Sequence, residues 1–460
     1  MIQQAFSRDW EQDLNAFLTD PVPADVRDHG ARTVADVLGA AVAGARVPAI
    51  ETVARNAAFA DGPASIIGTT RRTSPAQAAL VTGAAAIAQE VEEGHNTGGH
   101  VGAGIVAGAL PVADAEGVDG ETFVDACIRA YEVCARVERA IFAMKDRINE
   151  AVPWLVRNPH STWTVLGPAV ATALVTGAGP ATLRETVRIA GNLAVVSMHD
   201  PYAEGAPSRN FTAGFSAQVG VTAARTATAG LTGSRAAMEA VYDPFDEMGD
   251  GDFSERVGTL GSEWAITDNY VKPWPSCRYT HPPLAALREA VGDTPIDLRD
   301  VERVEVATFG NAVDMDHDTP QTMTAAKFST PYVLARYLAD RSVDLADFTA
   351  EAIGDPGVLS LASTVDLVHD EGFEAAFPER WGARVTVELA DGTTFTGECE
   401  DPPGGPHDPL SDEAWRTRTR GLLGYGLPAH QVDDAMGALD AVARRPVRRT
   451  VAALTPERDR

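Results

Sequence analysis

The stretch SPAQAALVTGAAAIAQEVEEGHNTGGHVGAGIVAG, residues 74–108, decides how the rest of the chain is read. Ser74 is a natural N-cap, Pro75 suits the first helical position and Gly94 reads as a stop, so a helix is expected over 74–94. It is apolar nearly all round until its last turn, which places it inside a core rather than on a surface. A second Ala/Gly/Val/Ile run follows almost at once. Between the two runs stand Glu90, Glu92, Glu93, His95 and His100, with a pair of glycines. A polar interruption between buried helices can be a metal site, a catalytic loop or a solvated helix end.

Outward from this stretch, helical patterning runs from about 28 to 265, through segments at 31–45, 120–142, 161–177, 183–198 and 216–231. In 120–142, Phe123, Cys127, Ala130 and Cys134 share one stripe. The abundant Ala and Gly permit close backbone approach, so a compact all-α core is expected. The pattern changes near 300. VERVEVATFG (301–310) is alternating and β-branched, 329–340 is helical, and 383–400 reads as a hairpin turning at Asp391-Gly392, with Val385, Val387 and Leu389 on one face. Helical patterning returns after DPPGGPHDPLSDEAW. The expected architecture is mainly α: a large helical domain over 1–266, a smaller α+β lid domain over 267–402, and C-terminal helices over 403–460 that return to the first domain.

The chain has 460 residues, 45% of them hydrophobic, which is ample for a large core. Its formal net charge of −27 repels phosphate backbones and anionic lipid, so neither nucleic acid nor a membrane is an expected partner. No apolar run approaches the roughly eighteen residues of a spanning helix. The start, MIQQAFSRDWEQD, lacks the plan of a signal peptide, and a cytoplasmic protein is expected. Lysine occurs only at 145, 272 and 327. The four cysteines, Cys127, Cys134, Cys277 and Cys399, are too scattered for a disulfide framework or a zinc knuckle.

A metal between His95 and His100 is disfavoured by their spacing of five and by the absence of a second histidine pair to complete a shell. GAGIVAG (102–108) has no preceding strand, so helix packing explains it better than dinucleotide binding, and no GxSxG elbow occurs. PHST (159–162) puts His160 at a helix start, where an anion is welcome. SRNFTAGFS (208–216) offers Arg209 in the lead-in to a helix. KPWPSCRYTH (272–281) packs Lys272, Arg278 and His281 into a rigid aromatic loop at the boundary between the two patterns. Such cations in so acidic a chain suit a carboxylate-bearing substrate.

Taken in order, EVEEGHNTGGHVGAGIVAGALPVADAEG, RNPHSTWTVLGPAVATALVTG, SRNFTAGFSAQVGVTAARTATAGLTG, VKPWPSCRYTHPPLAAL and AAKFSTPYVLARYLAD resemble the MmgE/PrpD family over about 28–425. That family includes 2-methylcitrate dehydratase, cis-aconitate decarboxylase and iminodisuccinate epimerase. The resemblance implies a homodimer and cofactor-free, metal-free chemistry on di- or tricarboxylic acids between two domains. Position by position it implies catalytic roles for His100, His160, Lys272 and Tyr332. The chain departs from the decarboxylase branch at three positions, with Glu90 for an aspartate, Gly94 for a threonine and Arg209 for a lysine.

The shared chemistry is proton transfer at carbon α to a carboxylate, which needs a base and cations to steady an enediolate. His100 and His160 are the expected proton-transfer groups. Arg209, Lys272 and Arg278 are the expected carboxylate binders, Glu90 would orient His100, and Tyr332 would donate a proton or hydrogen bond. Dehydration of a 2-methylcitrate-like acid is the leading expectation, with epimerisation, decarboxylation or carboxylate binding without turnover as alternatives.

Overall fold

A computed structural model describes residues 17–57, 60–96, 99–142, 150, 157–158, 165–193, 197–198, 205–234, 260–261 and 263–457. The helical domain comprises α1 (Ala24–Gly44), α2 (Pro48–Ala57), α3 (Pro75–Ala88), α4 (Val101–Glu116), α5 (Gly120–Phe142), α6 (Leu166–Val175), α7 (Pro180–Asn192) and α8 (Thr212–Thr228). Helix α3 lies at its centre, packed against α1, α4 and α8. Ser74 caps it by accepting from the Gln77 N–H, and Pro75 occupies its first turn. Small residues make this centre possible. A Cβ on Gly83 would stand 2.7 Å from the Cα of Gly214, so α3 and α8 cross backbone against backbone. Burial of each Val, Leu or Ile in such a core contributes about 1.5–3 kcal/mol.

One boundary differs from expectation. Helix α3 stops at Ala88, six residues before Gly94, because Glu90 takes φ 51 and turns the chain out of the helix. The carboxylates expected on a last helical turn therefore lie on an irregular loop. Gly94–His95 (β1) then pairs antiparallel with Asn269–Tyr270 (β2), fixing the loop to the start of the second domain.

The second domain is α+β. Its four-stranded sheet has the order β6-β5-β3-β4, formed by Val301–Thr308 (β3), Val365–His369 (β4), Ala383–Leu389 (β5) and Thr394–Cys399 (β6). The β5–β6 hairpin is the one read from the sequence, with Val385 and Val387 fully buried. Strands β3 and β4 run parallel, joined by a crossover that carries α10 (Met323–Lys327) and α11 (Thr330–Asp340). Helix α9 (His281–Val291) covers the hairpin. After the sheet, α12 (Asp412–Gly426), α13 (Val432–Asp440) and α14 (Val447–Ala453) return to the helical domain, where Trp415, Leu423, Met436 and Val447 join its core. The molecule is thus mainly α with a smaller α+β domain. Among the described residues no single helix is long and apolar enough to cross a membrane.

Candidate active site

The loop after α3 is the centre of the site. Glu90 is 2% exposed and meets two cationic side chains and an imidazole. Lys272 donates from Nζ to Oε2 at 2.7 Å, Arg209 pairs with Oε1, and His100 Nε2 lies 3.9 Å from Oε2. Lys272 arrives on the segment that follows β2, and Arg209 on the turn before α8. The Arg209 guanidinium also donates to Ile87 O at 3.0 Å and sits over the Phe328 ring. It thereby satisfies a carbonyl that the end of α3 would otherwise leave open.

His100 occupies the N-cap position of α4 without a side-chain capping hydrogen bond. Its Nδ1 is 2.9 Å from Glu92 Oε1 and 3.1 Å from Glu93 O. Both neighbours are acceptors, so Nδ1 carries a proton, and Nε2 lies on the Glu90 side. Burial works against ionisation of Glu92. The Lys272 charge, the contact with His100 and the Arg209 charge outweigh it and hold that carboxyl far below its ordinary range.

Glu93 faces the other way. It accepts from Gly102 N at 2.7 Å and from the Tyr131 hydroxyl at 3.0 Å. Burial pushes its carboxyl up to about 8, despite these two donors, with Asp36 and Glu92 adding to the rise. Behind it, burial, with the neighbouring Glu93 carboxyl adding to it, raises Glu138 well above the ordinary range, and neither oxygen of Glu138 has a hydrogen-bond partner among the described residues. Burial and the Arg139 charge push His95 down to about 3, and its Nε2 accepts from Arg139 Nη2 at 2.9 Å.

Of the residues singled out from the sequence, Glu90, His100, Arg209 and Lys272 come together. His160 lies outside the described residues. Tyr332 is fully buried in the second domain, its hydroxyl donating to Asp347 O at 2.5 Å and its ring beside Phe348. Arg278 donates to Pro402 O and Pro403 O, both at 2.8 Å, and lies over the Tyr270 ring. Burial lowers it to about 10 and, with the Arg278 and Lys272 charges, drives His281 well below its usual value.

Two buried cations were missed. Lys327 donates from Nζ to Gln89 O at 2.9 Å and Pro275 O at 2.8 Å. Arg418 donates to Lys272 O at 2.6 Å, to Asp36 Oδ1 at 2.5 Å and to Val91 O. The scarcity of lysine was a usable signal for Lys327. Arg418 stands among Arg416 and Arg420 in RTRTR, where nothing in the spacing marks it out.

Glu90, Glu92 and His100 also place ligand atoms within 4.8 Å of one another, a grouping a metal ion could use. Lys272 and Arg209 already neutralise the Glu90 oxygens, and an added divalent charge would sit against two fixed cations. The donor set therefore fits a divalent cation poorly.

The model of the MmgE/PrpD N-terminal domain matches residues 14–256, and that of the MmgE/PrpD C-terminal domain matches 274–439. The chain is 25% identical to a cis-aconitate decarboxylase of Aspergillus terreus over 433 residues, covering 88% of this chain and 86% of that protein. It is 27% identical to the cis-aconitate decarboxylase-like protein oryM of Aspergillus oryzae, covering 87% of each. A cis-aconitate decarboxylase of Mus musculus is 25% identical over 271 residues, 57% of this chain and 54% of that protein.

Proposed function

The chain belongs to the MmgE/PrpD family, and on that premise we propose that it is a cofactor-free lyase acting on a small di- or tricarboxylic acid. The reaction moves a proton at a carbon next to a carboxylate. The observation that carries this reading is the convergence of His100, Glu90, Lys272 and Arg209 at the meeting of the two domains.

In this reading Glu92 holds His100 in one tautomer, so Nε2 takes the substrate proton. The imidazolium that forms is steadied by Glu92 and Glu90. Negative charge developing on the substrate carboxylate is met by Lys272 and by Arg209, which cannot itself serve as an acid or base near neutrality. General base catalysis of this kind supplies about 10²–10⁴-fold. A departing hydroxide needs a proton from a second group, a role that resemblance alone gives to His160. For Tyr332 to reach the chemistry, its hydroxyl would first have to leave Asp347 O.

Dehydration of a 2-methylcitrate-like hydroxy acid is the leading reaction. Decarboxylation of cis-aconitate is favoured by the names of the relatives, and Gly94 argues against it. Where the decarboxylase branch carries threonine, a Cβ would stand 2.3 Å from the Tyr270 hydroxyl oxygen. Incubation in D₂O with 2-methylcitrate, cis-aconitate and iminodisuccinate, followed by NMR, separates the cases. Loss of water from 2-methylcitrate is expected, slowed about 10²–10⁴-fold in His100→Asn. Release of CO₂ from cis-aconitate would replace dehydration by decarboxylation. Neither turnover nor deuterium exchange with any of the three would sink the enzymatic reading.

A further inference from the structure

Two short segments carry the charged centre: residues 89–91, with Glu90 between two peptide groups, and residues 272–275, led by Lys272. Neither belongs to a long helix or strand. Glu90 is held at φ 51, a left-handed conformation unfavourable for a non-glycine residue, which persists only where its surroundings impose it. Hydrogen bonds on either side of it provide that imposition.

On one side, Lys327 at the end of α10 donates to Gln89 O and Pro275 O. On the other, Arg418 of α12 donates to Val91 O and Lys272 O, and is itself anchored by Asp36 of α1. Each cation therefore links one carbonyl next to Glu90 with one carbonyl of the Lys272 segment. Lys327 is fully buried and the Arg418 side chain is 9% exposed, so water competes weakly for these carbonyls. Lys327 belongs to the second domain and Arg418 to the returning C-terminal helices. The Lys327 ammonium also lies 4.0 Å from the centre of the Phe348 ring, which supports it from below.

We propose that Lys327 and Arg418 are a pair of positioning residues that staple the Glu90 loop to the Lys272 segment, one from each side, and so hold Glu90 against Lys272, Arg209 and His100. Their catalytic effect rests on the lyase reading; the geometry they maintain does not. Loss of either staple frees two carbonyls, lets Glu90 leave its left-handed conformation and changes the charge facing His100.

The test uses the full chain and two readouts. Lys327→Met removes both donors at nearly constant volume. Arg418→Lys keeps the charge but cannot span three acceptors. Phe348→Leu is the control, since it removes the ring beneath Lys327 and leaves both of its hydrogen bonds in place. The first readout is the pH titration of the His100 ring by NMR with ¹⁵N-histidine, its signal assigned by loss in His100→Asn. This needs no substrate and stands whatever reaction is catalysed. Both staple variants are expected to shift the His100 midpoint by half a unit or more, with Phe348→Leu unchanged. The second readout is turnover on whichever acid the wild-type protein accepts. The staple variants should lose at least tenfold in kcat with KM within threefold, and Phe348→Leu should stay within twofold. Wild-type titration and turnover in both staple variants would overturn the proposal. So would an equal shift in Phe348→Leu, because that would mark a general loosening of the second domain.

Discussion

Glu90 and Glu93 are three residues apart on one loop and equally buried, yet their surroundings treat them oppositely. On the Glu90 side, Lys272 and Arg209 occupy both carboxylate oxygens and His100 stands beside them. On the Glu93 side the partners are neutral donors, Tyr131 and the Gly102 amide, and the nearest charges are those of other carboxylates. One side stores compensated charge. The other avoids charge by keeping its proton. A buried carboxylate needs explicit cations to remain ionised, so the side that has them is the side able to bind and redistribute negative charge during a reaction.

The same substitution at the two positions should therefore have opposite consequences. Glu90→Gln leaves Lys272 and Arg209 buried without their counter-ion and is expected to cost about 3–5 kcal/mol of stability, measured by urea unfolding at pH 7. A loss below about 1 kcal/mol would mean that Glu92 carries the compensation instead. His100→Asn, by contrast, removes the base while sparing the pairs of Glu90 with Lys272 and Arg209. Turnover should fall about 10²–10⁴-fold, with stability little changed.

Glu93→Gln should act mainly through pH. The folded protein holds the Glu93 proton up to about 8, whereas the unfolded chain releases it near the ordinary carboxyl value of 4.5. The folded state thus binds more protons between these values, and stability falls as pH rises from 4.5 through 8. Removing the carboxyl should flatten that decline, so Glu93→Gln gains on the wild-type protein as pH increases, by at most about 1.4 kcal/mol per pH unit. His95 contributes with the opposite sign. With its imidazole pushed down to about 3, the stability present above 6.5 is lost as pH falls toward 3. Urea midpoints for wild type and Glu93→Gln across pH 5–8.5 check this. Parallel curves would show that Glu93 is ionised in the fold.

Much of this architecture was legible from residue patterns. Ser74-Pro75 marked the start of α3, the all-round apolar character of that helix marked its central place, and the alternating Val385 and Val387 marked the buried face of the hairpin. The end of α3 was not legible, because nothing local to AQEVEEG breaks a helix before Gly94. The break comes from ion pairs and hydrogen bonds made by Arg209, Lys272, Lys327 and Arg418, which lie between 119 and 328 residues further along the chain. Four of the site residues were visible because their motifs stand in family order. Lys327 and Arg418 act on backbone carbonyls rather than on side chains, and a sequence carries no mark of which carbonyl a cation will meet.

Gly94 sits where the two sides of the loop part, directly after Glu93 and opposite Tyr270 in the β1–β2 pair. A Cβ there would lie 2.3 Å from the Tyr270 hydroxyl oxygen and 2.5 Å from Cζ. The ring is 2% exposed, with Arg278 over its face and Trp381 beside it, so it has little room to withdraw. Gly94→Ala should cost about 1–3 kcal/mol as an overpacking change, and Tyr270→Phe should not relieve it, because Cζ remains. Tyr270→Ala should relieve it, giving a coupling of about 0.5–3 kcal/mol in a double-mutant cycle. Additive single-mutant effects would show that the loop moves rather than the ring. Gly94→Ala would then disturb the Glu90 side as well, and turnover would fall together with stability instead of remaining within a few-fold of the wild-type value.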